Sequence, residues 1–387
     1  MMRLIVHTAR RECQRMIHDP IYLVCILCPA IACYLLFTSL MSDGLPVKLP
    51  AGMVDRDGSS MSRNITRALD AYQYTDIVGH YPTAHKAFET MRQGRIYGFY
   101  YLPEGMEADA LDGRQPTVSF YLNYAYLIAG SLLYKDMRTM AELTDASVAE
   151  AQLSARGTEE WQVKPVLQPI AIDTHPLDNP WLNYSVYLNN TLLPGVLLLT
   201  VMLVTVYSIG TEMKYRTAGQ WLQQNGGRIL PALAGKLLPQ TLLFSLMAML
   251  YVSVLYGYLH FPLNGGLLPM MSASILAVSA TQAFGVFLFC LFPWMRMAMS
   301  AASLWGVLSF SISGFSFPAM AMNPALQALN HLFPLRHYFL IYAGSALNGA
   351  PFSDVLPSFL ALTIFLLLPL LFLKRLKRKL LTYVYME

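Results

Sequence analysis

Few residues in this chain are spaced for chemistry of their own. Asp55, Asp57 and Ser59 alternate in the manner of a cation-binding loop, but an EF-hand loop from Asp55 needs Gly at its sixth position and an acid at its twelfth. Ser60 and Thr66 stand there instead. The same residues suit an Asx-type turn that ends a strand and caps a helix starting near Ser60. The only Gly-Lys pair, Gly235-Lys236, has Leu230 where the first glycine of a GxxxxGK phosphate loop belongs. Cys25 and Cys28 form a CxxC without the second ligand pair a metal site needs. The histidines are scattered, with no HExxH and no recognisable Ser/His/Asp set. We therefore expect neither catalysis, cofactor, metal nor bound nucleotide in this chain itself.

The most unusual local sequence runs from Gly210-Thr211-Glu212-Met213-Lys214-Tyr215-Arg216 through Thr217-Ala218-Gly219-Gln220-Trp221-Leu222 to Gly226-Gly227-Arg228. It reads as a short amphipathic helix, at about 212–225, along a membrane surface with Trp221 at headgroup level. One role is plain anchoring. The other is a docking helix, with Glu212, Lys214, Arg216, Gln220 and Trp221 taking force from a cytoplasmic partner.

The elements that would position this segment follow from composition. With 55% hydrophobic and 13% charged residues and a mean hydropathy of +0.42, the chain is too apolar for an ordinary soluble globule. Windows long enough to cross a hydrocarbon core of about 30 Å lie at 21–41, 186–210, 231–259, 269–292, 297–318 and 356–373. These predict an α-helical polytopic membrane protein of six transmembrane helices, with an inserted α/β domain at 42–183 between the first and second.

Charge orients it. Arg3, Arg10, Arg11 and Arg15 precede the first span, Lys214, Arg216, Arg228 and Lys236 lie around the second connection, and Arg296 lies in the fourth. Lys374, Arg375, Lys377, Arg378 and Lys379 follow the last span in a basic tail, 374–387. Only Arg336 falls on the other side, so both termini are expected inside and 42–183 outside. That domain carries eighteen acids against twelve bases, and the remainder of the chain is basic; the positive net charge thus says nothing of nucleic acid. The first span should stay as an anchor rather than be cleaved, since no small-x-small site follows Leu40. The cysteines (Cys13, Cys25, Cys28, Cys33, Cys290) all lie in or beside the spans, so the outer domain has to stand on its packed core.

Residues 1–20 place Met2, Ile5, Ala9, Cys13 and Met16 on one side and the bases on the other, predicting an interfacial helix stopped by Asp19-Pro20. In the outer domain, strands are expected at 47–54, 76–80, 96–102 and 117–122, helices near 60–72 and 83–93, and a turn near 104–112. A long helical arm at 124–156 and an extended segment at 163–180 follow. Within the spans the polar residues are Asn189, Asn190, Thr191, Gln240, Thr281, Gln282 and the run Ser309–Ser313; most read as glue between helices. Asn190, Thr191, Ser309, Ser311 and Ser313 are also candidates to line a path. No acid or base is expected to be buried in a span, which weighs against proton- or ion-coupled transport. Residues 319–350, broken by Pro324 and Pro334, predict half-helices dipping into the outer leaflet, with Arg336 and His337 as an outer gate.

With those residues in place, the chain resembles the permease subunits of type-2 ATP-binding-cassette exporters, the branch with a large extracytoplasmic insertion. The matching points are the basic helix with Glu12 and Asp19-Pro20, Val54-Asp55-Arg56-Asp57 with Ser59, and Glu212 to Leu222. Ala234-Gly235-Lys236-Leu237-Leu238-Pro239 and the region from Gly314-Phe315-Ser316-Phe317-Pro318 to Pro334-Leu335-Arg336-His337-Tyr338 match as well. The resemblance implies a homo- or heterodimer of six-helix permeases in a bacterial inner membrane, exporting a drug, lipid or similar amphiphile. ATP and Mg would be bound by a separate cytoplasmic ATPase subunit, reached through a coupling helix at Glu212–Leu222. A periplasmic adaptor is a further possible partner. Gln220 stands where relatives often carry Glu, which removes one charge from the expected contact. The rival readings are a membrane-anchored receptor or scaffold and an ion-coupled carrier.

Overall fold

In the computed structural model, residues 2–42, 44–155, 179 and 183–382 are described. The extended segment expected at 163–180 and the end of the tail, 383–387, therefore lie almost wholly outside the described residues. Helix α1 (Met2–His18) stops at Asp19, and Pro20 opens α2 (Pro20–Leu40) at the helix position where its missing N–H is not needed. The Asp19 carboxylate accepts the Tyr22 N–H at 3.3 Å, as a capping residue does. The facing of α1 differs from the sequence expectation. Thr8, Glu12 and Met16, one turn apart, are buried, while Met2, Val6 and Ile17 are exposed. Of the expected apolar stripe Met16 is buried, Ile5 and Ala9 are half-buried and Met2 and Cys13 are exposed, while Thr8 and Glu12 beside it find polar partners in the protein.

Residues Leu45–His175 form a compact unit of their own. Its elements are β1 (Leu49–Asp55), α3 (Ser60–Ala71), β2 (Thr75–His80), α4 (Ala84–Arg92), β3 (Gly98–Leu102), α5 (Met106–Leu111), β4 (Ser119–Leu122) and α6 (Leu127–Ala155). The sheet order is β2-β1-β3-β4; β1 runs parallel to β2 and β3, and β4 closes antiparallel on β3. Period-two alternation sends Leu49, Ala51, Met53, Tyr100 and Leu102 to one face, packed with Ile65, Leu69, Leu133 and Met140 of α3 and α6. Val54 and Phe99 go to the other face, against Ala87 of α4. The expected turn near 104–112 is a short helix, α5. The Asp55 carboxylate accepts the N–H groups of Asp57 and Gly58 and the Ser62 hydroxyl, and Ser59 caps α3. That is turn-and-cap chemistry, and it occupies the oxygens a cation would need.

One buried acid fixes α6 to the sheet. Asp136 accepts the Tyr74 N–H at 3.0 Å and the Thr75 hydroxyl at 2.9 Å. Replacing Asp136 with Ala leaves the Tyr74 N–H unpaired and the Thr75 hydroxyl with only the Tyr100 hydroxyl at 3.3 Å, and is expected to destabilise this unit by about 1–3 kcal/mol. Faster amide exchange at Tyr74 and along α6 in the full-length protein, with exchange in the helical unit unchanged, is the measurement.

Met1–Gly44 and Pro176–Glu387 make up the second unit. Beyond α1 and α2 it contains α7 (Tyr184–Lys214), α8 (Ala218–Gln224), α9 (Ile229–Ser253), α10 (Leu267–Leu291), α11 (Met295–Ile312), α12 (Pro324–Asn330), α13 (Pro334–Ile341), α14 (Phe352–Leu367) and α15 (Leu373–Thr382). Among the described residues, five helical stretches are long and apolar enough to cross a membrane: Tyr22–Leu40, Tyr184–Lys214, Ile229–Tyr258, Leu267–Leu291 and Phe352–Thr382. The fifth expected span, at 297–318, is the 18-residue α11, about 27 Å long at 1.5 Å per residue, with Arg296 in its first turn. It is shorter and less apolar than the rest.

Helix α7 is the central element, packed on α2, α10 and α11. Small residues set its seam with α11: Gly195 receives the Phe310 ring, and Gly306 of α11 receives the Leu199 side chain. At the end of α9 the backbone widens into π-type turns, Val254–Tyr258, and the Tyr256 hydroxyl there meets Asn190 Oδ1 at 2.8 Å. The half-helices expected at 319–350 correspond to α12 and α13, each opened by a proline.

Candidate functional site

The chemistry of this chain gathers where α1, α7, α8 and α9 meet. Helix α7 ends in a Schellman-type turn: the Arg216 N–H bonds Met213 O at 3.1 Å and the Thr217 N–H bonds Glu212 O at 2.9 Å. Arg216 takes the left-handed conformation, φ 56°, normally given to glycine at that position. This turn aims the Glu212 carboxylate inward and starts α8 at Ala218. Helix α9 then begins after Gly226 and Gly227 and brings Lys236 to the same point.

Lys236 is fully buried. Its ammonium donates to Glu12 Oε2 at 2.7 Å and Glu212 Oε1 at 2.8 Å and lies 5.4 Å from the centre of the Trp221 ring, close enough for a cation–π contact. Arg15 reaches Glu212 Oε1 at 2.9 Å and Arg11 reaches Oε2 at 3.1 Å; the Thr217 hydroxyl also donates to Oε2. Glu12 Oε1 accepts the Tyr22 hydroxyl at 3.0 Å and the Gln240 amide at 3.4 Å. Two carboxylates thus face three cations, and both carboxylates have hydrogen bonds beyond their ion pairs. Beside them Asn225 bonds the Thr8 hydroxyl at 2.9 Å and Trp221 O at 2.9 Å, tying α8 to α1. The approach is close: a Cβ on Gly235 would stand 2.7 Å from the Ile5 carbonyl oxygen.

This cluster corrects several expectations. Lys236 and Glu212 are buried charges inside α9 and α7, where none was expected. The predicted helix at 212–225 is in fact the end of α7, a turn, and the seven-residue α8. Of its five expected contact residues, Glu212 and Trp221 are wholly buried because they hold the cluster together, so neither presents a side chain to a partner. Lys214, Arg216 and Gln220 are exposed, together with Tyr215, Gln223 and Gln224. Sequence reasoning singled out neither Lys236 nor Gln240 for this role and missed Tyr22. The one available signal was Glu12, the lone acid among the bases of α1.

Four of the five path candidates face the interior of the unit. Asn190, Thr191, Ser309 and Ser313 are buried, and their side chains bond backbone carbonyls of their own helices. Ser311 is exposed, as are Ser300 and Ser303 on the same open face of α11. Arg336 donates to Ser313 O at 3.0 Å and so closes the C-terminal end of α11. His337 is buried against His331 O at 2.9 Å.

Replacing Lys236 with Met leaves two carboxylates buried together without the cation between them. The expected loss is about 3–5 kcal/mol, read as a lowered denaturant midpoint of the purified protein. Adding Glu12→Gln to the same variant should recover part of that loss, because one of the opposed charges is then gone.

Residues 20–373 match a family profile described as ABC-2 family transporter protein. No curated protein matches the chain.

Proposed function

The chain belongs to the ABC-2 family of transporter proteins as a multi-pass membrane permease, and from that premise we propose that it is the export permease of a two-component pump. ATP and Mg are bound by a separate cytoplasmic ATPase subunit, and two copies of the permease, or one copy and a homologue, enclose the path. The cargo is a hydrophobic or amphiphilic molecule moved outward across a bacterial inner membrane. In this reading α11 is the fifth of six crossings, both termini are cytoplasmic, and the unit at Leu45–His175 lies outside, where it gates the exit or meets an adaptor.

The observation that carries the reading is the buried cluster under α8. A short helix with an exposed row of Gln220, Gln223 and Gln224 is joined, through Trp221, Asn225 and Lys236, to α1, α7 and α9 at once. A push on its outer face has no slack to dissipate in, because the groups beneath it are close-packed and ionically paired. Helix α7 carries the displacement to its partner α11, whose open face with Ser300, Ser303 and Ser311 is assigned to the path.

Gln220→Ala with Gln224→Ala, both exposed and outside the cluster, is expected to lower efflux by about tenfold, the effect of losing on the order of 1.4 kcal/mol of coupling, at unchanged thermal stability. Copurification of an ATPase with the wild-type chain, and its weakening in this variant, is the companion measurement. Efflux that survives ATP depletion and collapses with the proton gradient would overturn the proposal.

A further inference from the structure

An open hollow of about 380 Å³ lies between the start of α9 and the tail helix α15, lined by Gly227, Arg228, Ile229, Leu230, Pro231 and Lys377. Among the described residues neither the Arg228 nor the Lys377 side chain has an ion-pair or hydrogen-bond partner, and no acid lines the hollow. Among the described residues, the acids elsewhere at this end are already committed: Glu12 and Glu212 are consumed by the cluster, and Asp19 caps α2. Lys374, Arg375, Arg378 and Lys379 surround Lys377 on α15, which is fastened to the bundle by buried Leu376 and Leu380.

Two unneutralised cations around a hollow call for an anion, and the surroundings say which kind. Helix α15 continues α14 through the turn at 368–372, so Lys377 sits little more than one helical turn beyond an apolar span. Leu371 in that turn is 78% exposed, Leu381 on α15 is 55% exposed, and Leu230 is 45% exposed in the hollow itself. A free anion has no use for exposed leucines beside its charge site, whereas a lipid has acyl chains to lay on them.

We propose that this hollow is a binding site for one anionic phospholipid, its phosphodiester held by Arg228 and Lys377 and its chains lying along Leu230 and Leu371 of the turn that precedes α15. The site adjoins the connection that leaves α8, so the bound headgroup braces the α8–α9 turn. The inference rests on the reading of this end as the membrane-proximal cytoplasmic side, but its test needs no ATPase and no transport.

Native mass spectrometry of the purified full-length chain, titrated with phosphatidylglycerol or phosphatidylcholine, is the experiment. Wild-type protein should retain phosphatidylglycerol in preference to phosphatidylcholine. Arg228→Gln with Lys377→Gln should weaken that retention by about tenfold or more, given about 1 kcal/mol for each base at a charged lipid. Lys374→Gln with Arg378→Gln, equal in charge but outside the hollow, should change it far less. An equal loss in both double variants would reduce the site to diffuse charge attraction and overturn it. An unchanged Arg228/Lys377 variant that retains the wild-type thermal midpoint would do the same. Displacement of the lipid by millimolar inorganic phosphate would assign the hollow to a free anion instead.

Discussion

A single ammonium group, that of Lys236, stands between carboxylates contributed by two other helices, and the lower end of the bundle is organised around it. Removing three such charges from water is costly, and their attraction offsets the cost only where every remaining lone pair and proton has a partner. The surrounding groups supply those partners: Arg11 and Arg15 at Glu212, Tyr22 and Gln240 at Glu12, and the Trp221 ring over the lysine. What such an arrangement fixes is register. An apolar contact between α1 and α9 would tolerate a slip of one residue; this one would strand a buried charge.

The same constraint explains why α1 shows three kinds of surface. Its polar edge, Thr8 and Glu12, is turned into the protein. The partly buried Arg11 and Arg15 flank that edge, and Arg3 and Arg10 are exposed on the far side with Met2, Val6 and Ile17. Periodicity alone predicts an interfacial helix with Met2, Ile5, Ala9, Cys13 and Met16 on one side, and does not reveal that Thr8 and Glu12 are buried beside Met16. In a membrane the bilayer serves as the apolar partner, and the protein interior is where a helix can satisfy its polar groups.

The burial of Thr8 and Glu12 also marks what could be read from the sequence. The long apolar stretches, the four strands and the Asp19-Pro20 break follow from local pattern, because composition and turn chemistry act within a few residues. Lys236 could not be placed that way: a lysine early in an apolar run looks like a flank, and its partners lie more than twenty and two hundred residues away. Trp221 looked interfacial for the same reason, since an isolated amphipathic stretch does not reveal that its ring is stacked under a buried cation. The serines of α11 mislead in the opposite direction. A Ser hydroxyl in a helix can return to a carbonyl three or four residues back, as Ser309 and Ser313 do. Polarity in a span is therefore no sign of a wet surface.

The seam between α7 and α11 has a mechanical corollary. Phe310 sits in the notch left by Gly195, and Leu199 sits in the notch left by Gly306, so each helix is both tooth and socket to the other. Axial slippage would lift a ring and a branched side chain out of fitted recesses together, while a common tilt disturbs neither. The two helices are meshed like gear teeth, so that a tilt of one is a tilt of both.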